Sequence, residues 1–265
     1  MASAVAVMTA APALSAGLDD AVIAPAPVAA PAPVADLSTW DGSYWGFSLG
    51  VAGSDGEAER DGFSGDIIEV DVEQGLFPES VDDFEASAIG GVTLGYNRQA
   101  GRMVQGVEFD LSALNQDVDL GFSAVDQITF VGVDTITTYQ TEISAFATLR
   151  GRVGWVSGAN LFFATAGIAA GQVENDFTLE LPGLPFGDYT SPDWSEEGIR
   201  WGYVLGDGVE RKLSARMSLK GEILYYDLAD VRIEGTDPPV FGDNQINYSF
   251  DNEGTLLRVG LNFSF

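Results

Sequence analysis

Apolar residues return at every second position in eight separate stretches of this chain, a period that restricts each stretch to an extended strand with one oily face. The last ten residues, LLRVGLNFSF (256–265), place Leu257, Val259, Leu261, Phe263 and Phe265 on one face and Leu256, Arg258, Gly260, Asn262 and Ser264 on the other. YWGFSLGVA (44–52) sets Trp45, Phe47, Leu49 and Val51 against Tyr44, Gly46, Ser48 and Gly50. The alternation recurs in 87–97, 102–114, 142–155, 160–173, 199–211 and 215–227. In 142–155 it predicts Ile143, Ala145, Ala147, Leu149 and Val153 on the oily side, with Glu142, Ser144, Thr148, Arg150 and Arg152 opposite.

Strands of nine or more residues suffice to cross a bilayer when tilted. An even number lets the chain close into a barrel, one of only two architectures that pair every backbone polar group within lipid. The connections support closure. Short turns such as RQAG and SGA alternate strictly with long excursions near 53–86, 115–141, 174–198 and 228–254. The predicted fold is therefore all-β: an eight-stranded antiparallel up-and-down transmembrane barrel with short turns at one end and four long loops at the other. Aromatic residues at strand ends, among them Tyr44, Trp45, Tyr96, Trp155, Trp201, Tyr225 and Tyr226, suit a membrane interface.

A water-soluble barrel around a ligand would carry its oily face inward and a polar face outward. Charge placement argues for lipid outside instead. The four excursions hold 29 of the 40 acidic residues and two basic ones, Arg60 and Arg232. The strand faces opposite the oily ones hold both signs: Glu108, Asp110, Glu142, Arg150, Arg152, Glu210, Lys220, Glu222 and Arg258. Mixed charge behind an oily wall fits a polar lumen. One residue resists, since Asp207 falls on the oily face between Leu205 and Val209, and either a bulge or an interfacial position would account for it.

The formal charge of −28 argues against nucleic acid as a partner, because that binding relies on lysine and arginine neutralising phosphates. The chain has no cysteine and no histidine, which removes disulfides, thiolate chemistry, the common zinc sites and histidine-activated nucleophiles. Nothing in the sequence calls for a cofactor or a resident metal.

Residues 1–16, an alanine-rich apolar run ending Ala-Leu-Ser-Ala, read as a signal peptide for export. Residues 17–39 read as an Ala/Pro-rich periplasmic leader, whose APAPVAAPAPVAD segment favours polyproline II and could reach the cell wall. Residues 40–265 form the barrel.

WDGSYWGFSLG (40–50), LRGRVGW (149–155), LGDGVERKLS (205–214), LKGEILYYDL (219–228) and LLRVGLNFSF occur in an order that resembles the small OmpA-type outer-membrane β-barrels, in particular the porin-like surface antigens of alphaproteobacteria. The resemblance covers residues 40–265. It implies residence in the cell outer membrane among lipid and lipopolysaccharide. It also implies that Phe263 and Phe265 form the signal read by the outer-membrane assembly machinery. The chain departs from the family in its long acidic first loop and in Asp207.

Eight-stranded barrels are narrow enough for side chains to fill. Glu108, Asp110, Glu142, Arg150, Arg152, Lys220, Glu222 and Arg258 are predicted to form an ionic network across the lumen, because an unpaired buried charge is strongly unfavourable. Such a network is a structural plug or a selectivity-tuned pore, and the plug is the simpler reading. The expected function is a non-enzymatic barrel that supports envelope integrity and presents acidic loops. The alternatives are a narrow ion- or solute-conducting porin and a loop-based surface protein that binds a cation or ligand. Carboxylate pairs such as Asp19-Asp20, Asp82-Asp83 and Glu196-Glu197 read as solvated surface rather than as acid-base catalysts. Residues 55–73 and 117–119 are the richest candidate oxygen ligands for a hard cation, without EF-hand spacing.

Overall fold

A computed structural model describes residues 39–192, 194–236 and 244–265 of the chain. The expected signal peptide, and the leader up to residue 38, lie outside the described residues. The elements are β1 (Gly42–Ser64), α1 (Asp66–Glu73), β2 (Ser80–Ala100), β3 (Met103–Val125), β4 (Asp134–Ser157), β5 (Asn160–Leu181), the two-residue β6 (Tyr189–Thr190), β7 (Trp194–Lys212), β8 (Met217–Thr236) and β9 (Gln245–Ser264). Every pairing is antiparallel, and eight of the strands close a ring in the order β1-β2-β3-β4-β5-β7-β8-β9, with β9 returning to β1. β6 adds only a short edge to the top of β5.

The register fixes the barrel's shape. Paired residues traced from Ala113 through Gly90, Leu49, Val259, Gly221, Val209, Phe162 and Trp155 return to β3 at Met103, ten residues from the start. Eight strands with a stagger of ten give a tilted, narrow tube that side chains can fill. Trp45 stacks on Phe263 at 5.0 Å across the β1–β9 seam.

The four expected excursions are strand for most of their length. β1 climbs to Ser64, β3 and β4 pair up to Val125 and Asp134, and β9 begins at Gln245. Their residues obey a second alternation of opposite sense. On β9, Leu257, Val259, Leu261 and Phe263 point outward while Arg258 and Asn262 point inward. Above Leu256 the outward residues become Thr255, Glu253, Asp251 and Ser249, and the inward ones become Phe250, Tyr248 and Ile246. The doublet Leu256-Leu257 marks the change. Below it lipid surrounds the wall and a polar interior can be solvated by its own charges. Above it water surrounds the wall and the interior becomes the apolar core of a small β protein.

The extension is not a complete ring. β2 leaves β3 at Ile89↔Leu114, and β7 leaves β8 at Gly202↔Leu228. α1 and the turn after it complete the core near the first gap, burying Ile68, Leu76 and Phe77 with Tyr139, Phe177, Tyr248 and Phe250. Asp71 accepts a hydrogen bond from the Thr129 hydroxyl at 2.8 Å, which ties α1 to the β3–β4 connection. Trp194 stacks on Phe177 at 5.3 Å beside the second gap.

Candidate functional site

The interior is built in layers, and their order can be followed along any one strand. On β4 it runs Val156, then Arg152, Arg150 and Thr148, then Phe146 and Ile143, then Tyr139. The lowest layer holds Trp40, Val104, Val156, Leu161 and Phe163. The second layer is ionic. Above it sits an apolar layer of Ile89, Leu114, Ile143, Phe146, Val173, Val204, Leu224, Tyr226, Leu228 and Leu256. The aromatic core of the extension caps the stack.

Cross-strand pairing brings the ionic layer together: Glu108 lies opposite Arg150, Glu210 opposite Lys220, and Glu222 opposite Arg258. Arg150 is the hub. Its Nη2 lies 2.6 Å from Glu108 Oε1 and 2.5 Å from Asp110 Oδ2, and its Nη1 lies 3.1 Å from Glu222 Oε2. Arg152 joins Glu108 at 3.0 Å to Glu210 at 2.9 Å. Lys220 contacts Glu108 at 2.6 Å and Glu222 at 3.3 Å, and Arg258 contacts Glu222 at 2.7 Å and Asp110 at 3.4 Å. Four carboxylates face four cations, so the layer is neutral. That balance matters because the cost of stripping water from each ion is recovered only when its partners are in place.

Neutral donors complete the shell. The Tyr44 hydroxyl donates to Glu108 at 2.5 Å and accepts from Arg152 at 2.9 Å. Thr93 donates to Asp110 at 2.6 Å, and Ser218 and Asn262 donate to Glu210 at 2.6 and 2.7 Å. Small inward residues leave the room. A Cβ on Gly95 would stand 2.2 Å from the Tyr44 ring, so the tyrosine reaches Glu108 only because residue 95 has no side chain.

Of the eight residues predicted to form the ionic network, seven meet here: Glu108, Asp110, Arg150, Arg152, Lys220, Glu222 and Arg258. Glu142 does not. A register shift between Ile143 and Ala145 reverses the phase of β4, so that Ile143 is buried and Glu142 stands exposed on the outer wall. Glu210 and Tyr44 belong to the network and were left out of it by sequence reasoning. Glu210 carried a signal, since it shares the inward phase of β7.

Carboxylate oxygens of Glu108, Asp110 and Glu222 lie within 4.8 Å of one another, a spacing compatible with a metal ion. The space between them is taken by Arg150 and Lys220. It is a cation site that the chain fills with its own side chains.

Asp207 lies on the outer wall and is exposed, in unbroken register with Ala164 on β5 and Ile223 on β8. No bulge turns it inward.

The family model for the outer membrane protein beta-barrel domain matches residues 22–265. The chain belongs to the outer membrane protein beta-barrel family. It is 26% identical over 237 residues to a 22 kDa outer membrane protein of Rhizobium leguminosarum bv. viciae, covering 88% of this chain and 82% of that protein. Among solved structures it is similar to the outer membrane protein OprG of Pseudomonas aeruginosa, with 14% identity, 85% and 97% of the two chains covered and a TM-score of 0.44. It is also similar to the outer membrane protease OmpT of Escherichia coli, with 10% identity, the same coverage and a TM-score of 0.44.

The protein thus resides in the cell outer membrane, and its lipid belt can be read directly. Exposed apolar residues circle the wall from Trp45–Val51 on β1 through Val107–Leu111 on β3 and Phe162–Ile168 on β5 to Leu257–Phe263 on β9. Short turns at Gly101, Gly158 and 213–216 lie at one end of this outer membrane barrel, and the acidic extension rises from the other. The candidate cation ligands at 55–73 are divided between the β1 wall and α1, and Asp119 accepts from Gln140 at 2.6 Å.

Proposed function

We propose that this barrel is a closed, non-enzymatic wall element of the outer membrane that supports envelope integrity and presents an acidic surface to the exterior. The observation that carries this reading is the stacking of a neutral ionic layer between apolar layers. Water or a solute would have to pass both the salt-bridged disc around Arg150 and the apolar disc around Phe146 and Tyr226. The carboxylate pairs weighed as catalysts lie in solvent where the structure describes them: Asp82 and Asp83 are exposed, as are Glu196 and Glu197, with Glu196 paired to Arg200 at 3.1 Å, while Asp19 and Asp20 lie outside the described residues. With no histidine in the chain, a hydrolytic site would need another base.

Assembly belongs to the same reading. Phe263 packs beside Trp45 and Phe47, whereas Phe265 is 82% exposed beyond the last ladder position. Phe265 is thereby free to be recognised by the assembly machinery before the seam closes. Contact of the leader with the cell wall concerns residues outside those described.

A strain lacking the protein tests the function. It should become more sensitive to detergent and to chelators while taking up small solutes at the normal rate. Unchanged detergent sensitivity together with slowed uptake would overturn the reading and favour a conducting porin.

A further inference from the structure

We propose that the outer wall carries a binding site for an amphiphile with an ammonium headgroup, at the height where lipid gives way to water. A cavity of about 250 Å³ opens there on strands β2, β1, β9 and β8. Its floor is the paired Gly53 and Thr255, its lower edge is Val51 and Leu257, and the ring of Phe84 closes one side. The missing side chain at residue 53 makes the hollow, since a Cβ on Gly53 would stand 2.9 Å from the Phe84 ring.

The opposite side is aromatic and anionic. Tyr225 donates its hydroxyl to the Glu253 carboxylate, and the Tyr203 ring lies 6.2 Å from that of Tyr225. Asp227 and Asp251 add negative charge beside this pair, and among the described residues no lysine or arginine lines the cavity. Aromatic faces and carboxylates attract an ammonium group. Val51, Leu257 and Phe84 offer the apolar surface along which an acyl chain removes itself from water. A phosphate or sulfate headgroup would meet only like charge. The height of the site selects the source: Val51 and Leu257 belong to the lipid belt, while Glu253 lies above the point where the outward face turns polar, so the occupant comes from the outer leaflet.

The test uses the full barrel refolded in a neutral maltoside detergent, with native mass spectrometry after addition of dodecyltrimethylammonium or of dodecyl sulfate. The wild-type protein should retain the ammonium amphiphile and not the sulfate. The net charge of −28 would attract any cationic amphiphile loosely, so site occupancy is read from two variants. Gly53→Leu keeps every charge and fills the hollow, and Glu253→Gln removes the anchoring carboxylate. Each should weaken retention at least tenfold while the heat-dependent gel shift of the folded barrel persists. Equal retention of the two amphiphiles by the wild type would overturn the proposal whether or not the variants fold, and so would undiminished retention by the folded Gly53→Leu protein.

Discussion

Arg150 is the residue on which the ionic layer depends, because three carboxylates meet at its guanidinium and its side chain is closed to solvent. Substituting Arg150→Met leaves Glu108, Asp110 and Glu222 with Arg152, Lys220 and Arg258, one cation short of balance for the layer, and breaking a buried pair from one side costs about 3–5 kcal/mol. Urea titration in detergent, followed by the heat-dependent gel shift, should show that loss. Glu142→Gln provides the contrast: on the exposed wall the same titration should move by no more than about 0.5 kcal/mol. The pair of variants separates a lumenal charge from an external one that strand periodicity assigns to the same face. Alternation assigns faces correctly only while the phase holds, and a single bulged residue reverses it, as between Ile143 and Ala145. Glycine-rich strands hide such shifts, because the missing side chains leave nothing to read the phase from. Asp207 is the opposite case. The alternation put it outward but left open a bulge that would turn it away, and the register runs through it without one.

At the scale of the strand, the sense of the alternation locates the bilayer. An arginine placed outward at Val259 lies in the lipid belt and should cost about 2–4 kcal/mol near the midplane. An arginine placed outward at Ser249 faces water and should be nearly neutral, although both positions share one face of β9. Refolding yields of the two variants into liposomes would check this. The extension also has a pH response of its own. Burial, together with Asp230, Glu57, Glu253 and Glu59, pushes the Asp251 carboxyl up from 3.8 to about 6. The folded extension then binds this proton more readily than the unfolded chain does, so the contribution is fully present below about pH 4 and is lost as pH rises to about 6. Protection factors for hydrogen exchange in β9 above Leu256, taken after dividing out the base-catalysed intrinsic rate, should therefore be larger at pH 5 than at pH 7.5, and Asp251→Asn should reduce the difference. The extension was hard to see in the sequence for a physical reason. Ile246, Tyr248 and Phe250 alternate as regularly as the membrane strands, but their apolar face is turned inward and their polar face is rich in acid, so the segment reads as loop when only an outward oily face is sought. The doublet Leu256-Leu257 records the reversal.

At the scale of the molecule, the chain is a transmembrane barrel continuous with a water-surrounded β core, sharing one set of strands. The eight-strand closure, the outer-membrane residence and most of the ionic layer were legible because lipid enforces a simple rule on every strand that crosses it. The apolar discs above and below the charges were not, since their residues come from several strands and meet only once the stagger is known. Those discs carry the central claim that the lumen is sealed twice. Planar-bilayer recording of the refolded protein tests it most directly, with the wild type beside a variant in which Glu108, Asp110, Arg150 and Arg258 are all replaced by neutral residues. The account predicts no stable conductance steps from the wild type, and none from any folded variant, because the disc of Ile143, Phe146, Tyr226 and Leu256 still closes the tube. Stable, ion-selective steps from the wild type would contradict it.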